Sequence, residues 1–233
     1  MKAESLDGIK SLIAAGEDIK LVLRQNKHFI RQAADNNQSE VKDFLLKLLY
    51  EQKPEKSSSI KELFDSLCLF KDPLLIPKIL SFTKLRKRYV YDLIVFLLDF
   101  DAEDLEPFSE ELILYLSRLL NQNAPYAYLV LDVIFKLDAR KTIDLIINNG
   151  YLHHTHGQTQ RIAISIFINA IKITNQPDML NYVTDFLTHS DPATRLMTAL
   201  NLKKFFPDLF GHLNMVEFVR DMLGGEHLVN QMG

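Results

Sequence analysis

The 233 residues carry 27 basic and 30 acidic side chains, a formal net charge of −3, and 47% of them are hydrophobic, with 8 Gly and 8 Pro. That make-up belongs to an ordinary folded chain and leaves little room for disordered linkers. No apolar run approaches the ~20 residues of a membrane helix, Met1–Asp7 lack the apolar stretch of a signal peptide, and a single cysteine, Cys68, excludes an internal disulfide and a cysteine-based zinc site. These readings favour a cytoplasmic protein.

Almost every segment has helical period, and hairpin dipeptides such as Asn-Gly are absent. Residues 4–35 read as helical and fit the later pattern poorly. They form the body of an N-terminal cap over 1–38. Ser39 can cap a helix through Tyr50 with Val41, Phe44, Leu45 and Leu48 on one face. Glu51–Ser58 is polar, contains Pro54 and reads as a loop. Ser59-Ile60-Lys61-Glu62 reads as a capping box opening a helix with Leu63, Phe64, Leu67 and Phe70. Cys68 lies among apolar residues and reads as a buried, inert thiol.

From Asp72 onward the spacing predicts helix pairs. First helices fall near 73–83, 107–121, 139–149 and 177–188, and second helices near 86–100, 124–137, 158–173 and 192–206. Asp72-Pro73 and Asp191-Pro192 are N-cap and first-turn pairs. Gly150 is placed to end a helix in the left-handed conformation. Residues 213–224 predict one more helix, and Gly224-Gly225 a frayed end, so that 207–233 form a C-terminal cap and tail. The second helices superimpose from Arg88, Ala127, Arg161 and Arg195, whose starts lie 39, 34 and 34 residues apart. Seven residues on come Val95, Ile134, Ile168 and Leu202, and ten on come Leu98, Leu137, Ile171 and Phe205, all apolar. Such a period is the signature of a stacked helical array. The expected architecture is therefore one all-α, right-handed solenoid of antiparallel helix pairs over 1–233, with repeats over 39–206.

Leu187-Thr188-His189-Ser190-Asp191-Pro192-Ala193-Thr194-Arg195, with Ala199 and Leu202, resembles the HEAT repeat. In that family an Asp-Pro loop leads into the second helix, its early arginine commonly reaches a loop carboxylate, and a small residue four on lets helices pack closely. Arg161 with Ser165 is similar but lacks Asp-Pro. Arg88 with Asp92 keeps the arginine, and the unit beginning at Ala127 does not. The resemblance covers 72–206 and extends weakly over 39–71. It implies an armadillo-type binding scaffold. HEAT-like alkylpurine DNA glycosylases rely on aromatic residues, tryptophan prominent among them, in a basic groove. This chain has no tryptophan, and its residues 101–233 carry 10 basic and 16 acidic side chains. Nothing in it singles out the chromophore site of HEAT-like phycobilin lyases.

Three constellations stand out. His153, His154 and His156 can meet one metal ion if their loop curls, against the plainer reading of a solvated loop. Asp99, Asp101, Glu103 and Glu110 follow a calcium-loop count, but Asp104 stands where that loop needs glycine. Lys84-Leu85-Arg86-Lys87-Arg88, followed by Tyr89 and Tyr91, can grip an acidic protein or nucleic acid, or simply form a charged turn. No nucleophile elbow, phosphate loop or His-Glu-x-x-His motif is present. The expected function is a non-catalytic protein-binding adaptor or scaffold that uses the concave face of the array, lined by the solvent-facing residues of the second helices, with no cofactor and no metal. Its candidate contacts are Arg86, Lys87, Arg88, Tyr89, Asp92, Tyr126, Gln160, Arg161 and Arg195. The alternative is a nucleic-acid-binding protein, possibly acting on DNA, that uses the turn at 84–88.

Overall fold

The computed structural model of the chain describes residues 3, 5–51, 57–120 and 126–223, and these are helical throughout, with no strand among them. The expected end at Gly224-Gly225 lies outside the described residues, as does most of the expected loop at 51–58. No helix among the described residues is long and apolar enough to cross a membrane. The chain divides into two compact units, Met1–Phe108 and Ser109–Gly233.

The first unit contains α1 (Leu6–Ala14), α2 (Ile19–Gln25), α3 (Lys27–Asp35), α4 (Ser39–Glu51), α5 (Ser57–Cys68), α6 (Ile76–Leu85), α7 (Val90–Leu98) and the single turn α8 (Ala102–Leu105). Short polar side chains start its helices. Ser5 Oγ accepts from the Gly8 N–H at 3.2 Å, and Asp18 from Leu21 at 3.0 Å. Asp72 accepts from Leu74 at 2.9 Å ahead of the 3₁₀ turn Pro73–Leu75 that leads into α6, as Asp72-Pro73 predicts. The core forms where α5 packs against α2, α4 and α7. Leu45, Leu49, Ile60, Leu63, Phe64 and Leu67 are all buried there. The expected capping box is displaced, because α5 is already under way at Ser57 and Ser59 is buried within it. Glu62 instead takes the Arg24 guanidinium at 2.6 Å, tying α5 to α2.

Asp72 also receives the Lys42 ammonium, each side chain only 15% exposed. Burial alone would raise the Asp72 carboxyl. The Lys42 ammonium and the Leu74 N–H outweigh it and hold the carboxyl below its ordinary range. Cys68 closes α5 half-buried. Burial, with Asp99 and Asp65 nearby, pushes its thiol up to about 12. Alkylation by iodoacetamide at neutral pH is accordingly expected to run at least ~100-fold slower than for a free thiol, as thiolate is the attacking species. A rate near that of free cysteine would contradict this burial.

The second unit contains α9 (Ser109–Leu120), α10 (Ala127–Leu137), α11 (Ala139–Asn148), α12 (Gly157–Thr174), the single turn α13 (Asn181–Thr184), α14 (Pro192–Phe205), the single turn α15 (Pro207–Phe210) and α16 (Met215–Met222). Successive helices pack on one another: α9 on α10, α10 on α11 and α12, α12 on α14, and α14 on α16. Gly150, at φ 67°, follows α11 in the left-handed conformation that its position predicts. The buried Tyr151 hydroxyl donates to the Leu120 carbonyl at 3.0 Å, satisfying an orphan acceptor at the end of α9.

The fully buried positions of the second helices align in a different register from the one expected. Leu93, Val130, Ala163 and Thr198 are fully buried, as are Ile94, Leu131, Ile164 and Ala199, and Leu97, Ile134, Phe167 and Leu202. Each set takes one residue from α7, α10, α12 and α14. The expected alignment slips by two at α7, where Val95 is 39% exposed, and by one at α12. The stretch 177–188 is not one helix. It runs as 3₁₀ turn, α13 and 3₁₀ turn. Thr184 and Thr188 donate back to the carbonyls of Asn181 and Asp185 there, which tightens the turns.

Candidate functional site

Two groups of candidate residues occupy different units. In the first unit the basic turn joins α6 to α7 through a 3₁₀ turn, Lys87–Tyr89. That turn rotates Tyr89 inward, where it is 4% exposed beside Phe64 and Phe82, with ring centroids at 6.4 and 5.8 Å. Phe82 also meets Tyr50 at 5.6 Å and Phe64 at 5.9 Å. Two guanidiniums lie on this aromatic cluster, Arg86 with Cζ 4.5 Å from the Phe82 centroid and Arg88 with Cζ 4.8 Å from the Tyr89 centroid. Lys87 and Arg88 are exposed and Arg86 is half-exposed. Burial raises the Tyr89 phenol, opposed by the Arg88 and Arg86 charges.

Asp92, one turn into α7, is half-buried and faces α5, with the Lys61 ammonium 3.8 Å away. Burial and the nearby Asp65 raise its carboxyl, and Lys61 opposes them. Downstream, Asp99, Asp101 and Glu103 do not converge. Among the described residues no three His, Cys, Asp or Glu side chains are placed to hold a metal ion.

In the second unit the candidates separate. Tyr126 precedes α10, with its phenol raised by burial. Gln160 is buried and donates to the Leu152 carbonyl at 2.8 Å, bracing the loop before α12. Arg161 Nη1 donates to Asp191 Oδ2 at 3.0 Å. A Cβ on Gly157 would lie 3.2 Å from that guanidinium, so the glycine makes room for it. Asp191 also accepts from the Ala193 and Thr194 N–H groups, each at 3.2 Å, and from the Thr194 hydroxyl at 2.7 Å. Led by that hydroxyl, these donors hold its carboxyl below the ordinary range despite partial burial. Arg195 Nη1 donates to the His189 carbonyl at 2.6 Å, and its Nη2 lies 3.4 Å from Asp221 on α16. It forms one wall of an open groove of about 530 Å³ that also includes His212, Glu217 and Phe218.

The histidines build loops. His154 Nδ1 accepts from the His156 N–H at 3.0 Å, and His189 Nδ1 from Asp191 at 3.0 Å. His156 Nδ1 caps α12 through Thr159 N–H at 3.4 Å. Phe186 lies between the rings of His153 and His189, at 5.5 and 5.7 Å.

The sequence reading expected the solvent-facing side of the second helices to bind a partner, but it did not name the residues of one such face of α10, α12 and α14. That face carries half-buried Leu129, Asp132, Ile162 and Ser165, with Met197 and Leu200 at 36% and 48% exposure. Ser165 donates to Asn201 at 3.1 Å, which joins α12 to α14 across it. Asp132 makes no hydrogen bond or ion pair with the described residues. Burial raises its carboxyl, and only the Lys136 charge one turn on opposes this. The signal was a lone carboxylate within the apolar run Leu129–Phe135. A raised folded pKa means that stability is greatest below the unfolded value and is lost as pH rises through the folded one. Asp132→Asn is therefore expected to gain on the order of 1 kcal/mol at neutral pH. The gain should vanish near ~pH 3, where both forms are uncharged. Urea melts at the two pH values check both.

Comparison with known proteins finds no matching family model, no matching curated protein and no matching solved structure.

Proposed function

We propose that the helix pairs belong to the HEAT-like, right-handed solenoid class. In this reading 39–206 are repeats between an N-terminal cap and a C-terminal cap, and the chain is a non-catalytic protein-binding adaptor of the cytoplasm. The observation that carries it is the face of α10, α12 and α14. Side chains one residue away from fully buried columns form a mixed apolar and polar strip there, from Leu129 and Asp132 through Ile162 and Ser165 to Met197 and Leu200. Such a strip suits an extended segment of another protein, with apolar positions for its side chains and polar ones for its backbone. The Arg161–Asp191 bond supports the family reading, because a loop carboxylate is what its arginine implies, while Arg195 reaches the loop through the His189 carbonyl.

The test compares wild-type protein with an Ile162→Glu/Leu200→Glu variant in affinity capture from native lysate, before and after nuclease treatment. A stoichiometric protein retained by wild type and lost by the variant supports the reading. Recovery of nucleic acid alone, before nuclease treatment, would favour the nucleic-acid alternative.

A further inference from the structure

We infer that the basic turn between α6 and α7 is a receptor for a short acidic peptide segment carrying an apolar side chain. The inference rests on the protein-binding reading and gives that partner a second contact of defined chemistry. Charge pairing is the first argument. Several cations of this unit meet carboxylates, Arg24 with Glu62, Lys42 with Asp72, and Lys61 with Asp65 and Asp92, whereas the scattered Lys20, Lys27, Arg31 and Lys71 make no ion pair with the described residues. Arg86, Lys87 and Arg88 make no ion pair with the described residues, although they are consecutive. Lys87 and Arg88 lead into the N-terminal end of α7, where the helix dipole adds to their positive potential, while Arg86 is the C-cap of α6. The ring contacts and the C-terminal carbonyls of α6 offset part of the repulsion among the three charges, and an anionic partner would offset more.

Geometry is the second argument. Arg86 and Arg88 rest on the rings of Phe82 and Tyr89, which are themselves locked in a buried cluster. A stacked guanidinium keeps its edge N–H groups for a carboxylate, and part of its ordering entropy is already spent before binding. Between Lys84 and Arg86, Leu85 is 79% exposed, an apolar contact set among cations. That combination matches carboxylates flanking an apolar side chain.

The same features disfavour nucleic acid. The rings of Phe82 and Tyr89 are 0% and 4% exposed, with guanidiniums above them, so neither offers a face to a base, and of the two tyrosines after the basic run only Tyr91, 48% exposed, is open to solvent. The basic surface is one turn long, and Asp92 and then Asp99 and Asp101 come after it along the chain. A phosphate backbone needs a longer track.

The experiment titrates the full chain into a fluorescein-labelled, Glu/Asp-rich peptide with one central leucine, read by anisotropy. An oligothymidine of equal formal charge serves as the comparison. Binding of the peptide above the oligothymidine is expected. Arg86→Gln/Arg88→Gln should weaken it roughly 10–100-fold, the worth of charge-assisted hydrogen bonds. Leu85→Ser, or leucine-to-serine in the peptide, should weaken it by a smaller factor. Lys87→Glu changes an exposed side chain with no stacking role, so it tests the charge even if the double variant misfolds. No peptide binding, binding unchanged by Lys87→Glu, or stronger oligothymidine binding would each overturn the inference. Loss of lysate capture in the Ile162/Leu200 variant would meanwhile leave the adaptor reading standing.

Discussion

Phe82→Ala is expected to destabilise the first unit by about 4 kcal/mol, near the upper end for a single core truncation. Phe82 is fully buried and touches Tyr50, Phe64 and Tyr89, so no neighbour can collapse into the space without losing its own ring contacts. The substitution also removes the surface on which Arg86 lies. Phe82→Leu, which keeps most of the volume, should cost only about 1–2 kcal/mol. Urea unfolding followed by circular dichroism measures both. A cost under ~1 kcal/mol for alanine would mean that the aromatic cluster is not the packing centre of this unit.

Asp191→Ala is the second large effect, expected at about 2–3 kcal/mol. It strips a helix cap from α14 (typically ~1 kcal/mol), and it orphans the buried Thr194 hydroxyl and frees Arg161. The ion pair itself adds little, since its side chains are 30% and 39% exposed and solvent screens them. Asp191→Asn keeps an accepting oxygen and should cost about half as much. The carboxyl is held below its ordinary value, so its contribution is complete above about pH 4 and is lost as pH falls through the folded pKa. The gap between wild type and Asp191→Ala should therefore narrow in acid. A constant gap down to ~pH 2 would show that Asp191 acts only through shape.

The helices themselves, the Asp72 and Asp191 caps and the Gly150 break were legible because each depends on a residue and its near neighbours. Register was not. With 3.6 residues per turn, an alignment built on one landmark drifts, and Arg88 was a poor landmark because it lies within the 3₁₀ turn that precedes α7. The same turn explains Tyr89. Its spacing matches a solvent-facing position on a continuous α-helix, and the tighter turn carries it into the core. Gln160 and Arg195 read as polar residues on an exposed face. Their partners are main-chain carbonyls of Leu152 and His189, where the resemblance implies a loop carboxylate for the arginine and no side-chain pattern announces a partner for the glutamine. The side of the second helices that faces solvent was expected to bind, but its particular residues around Asp132 were hidden because the face draws only two from each of several helices.

The imidazoles of His154, His156 and His189 each spend Nδ1 on a main-chain N–H at or just before a helix start. While those bonds hold, each ring is confined to the tautomer with hydrogen on Nε2. An electrophile or metal approaching from solvent then meets an N–H rather than a lone pair. These histidines, clustered though they are, make a poor chelator: turning two of them towards one ion would unlatch the helices that they start.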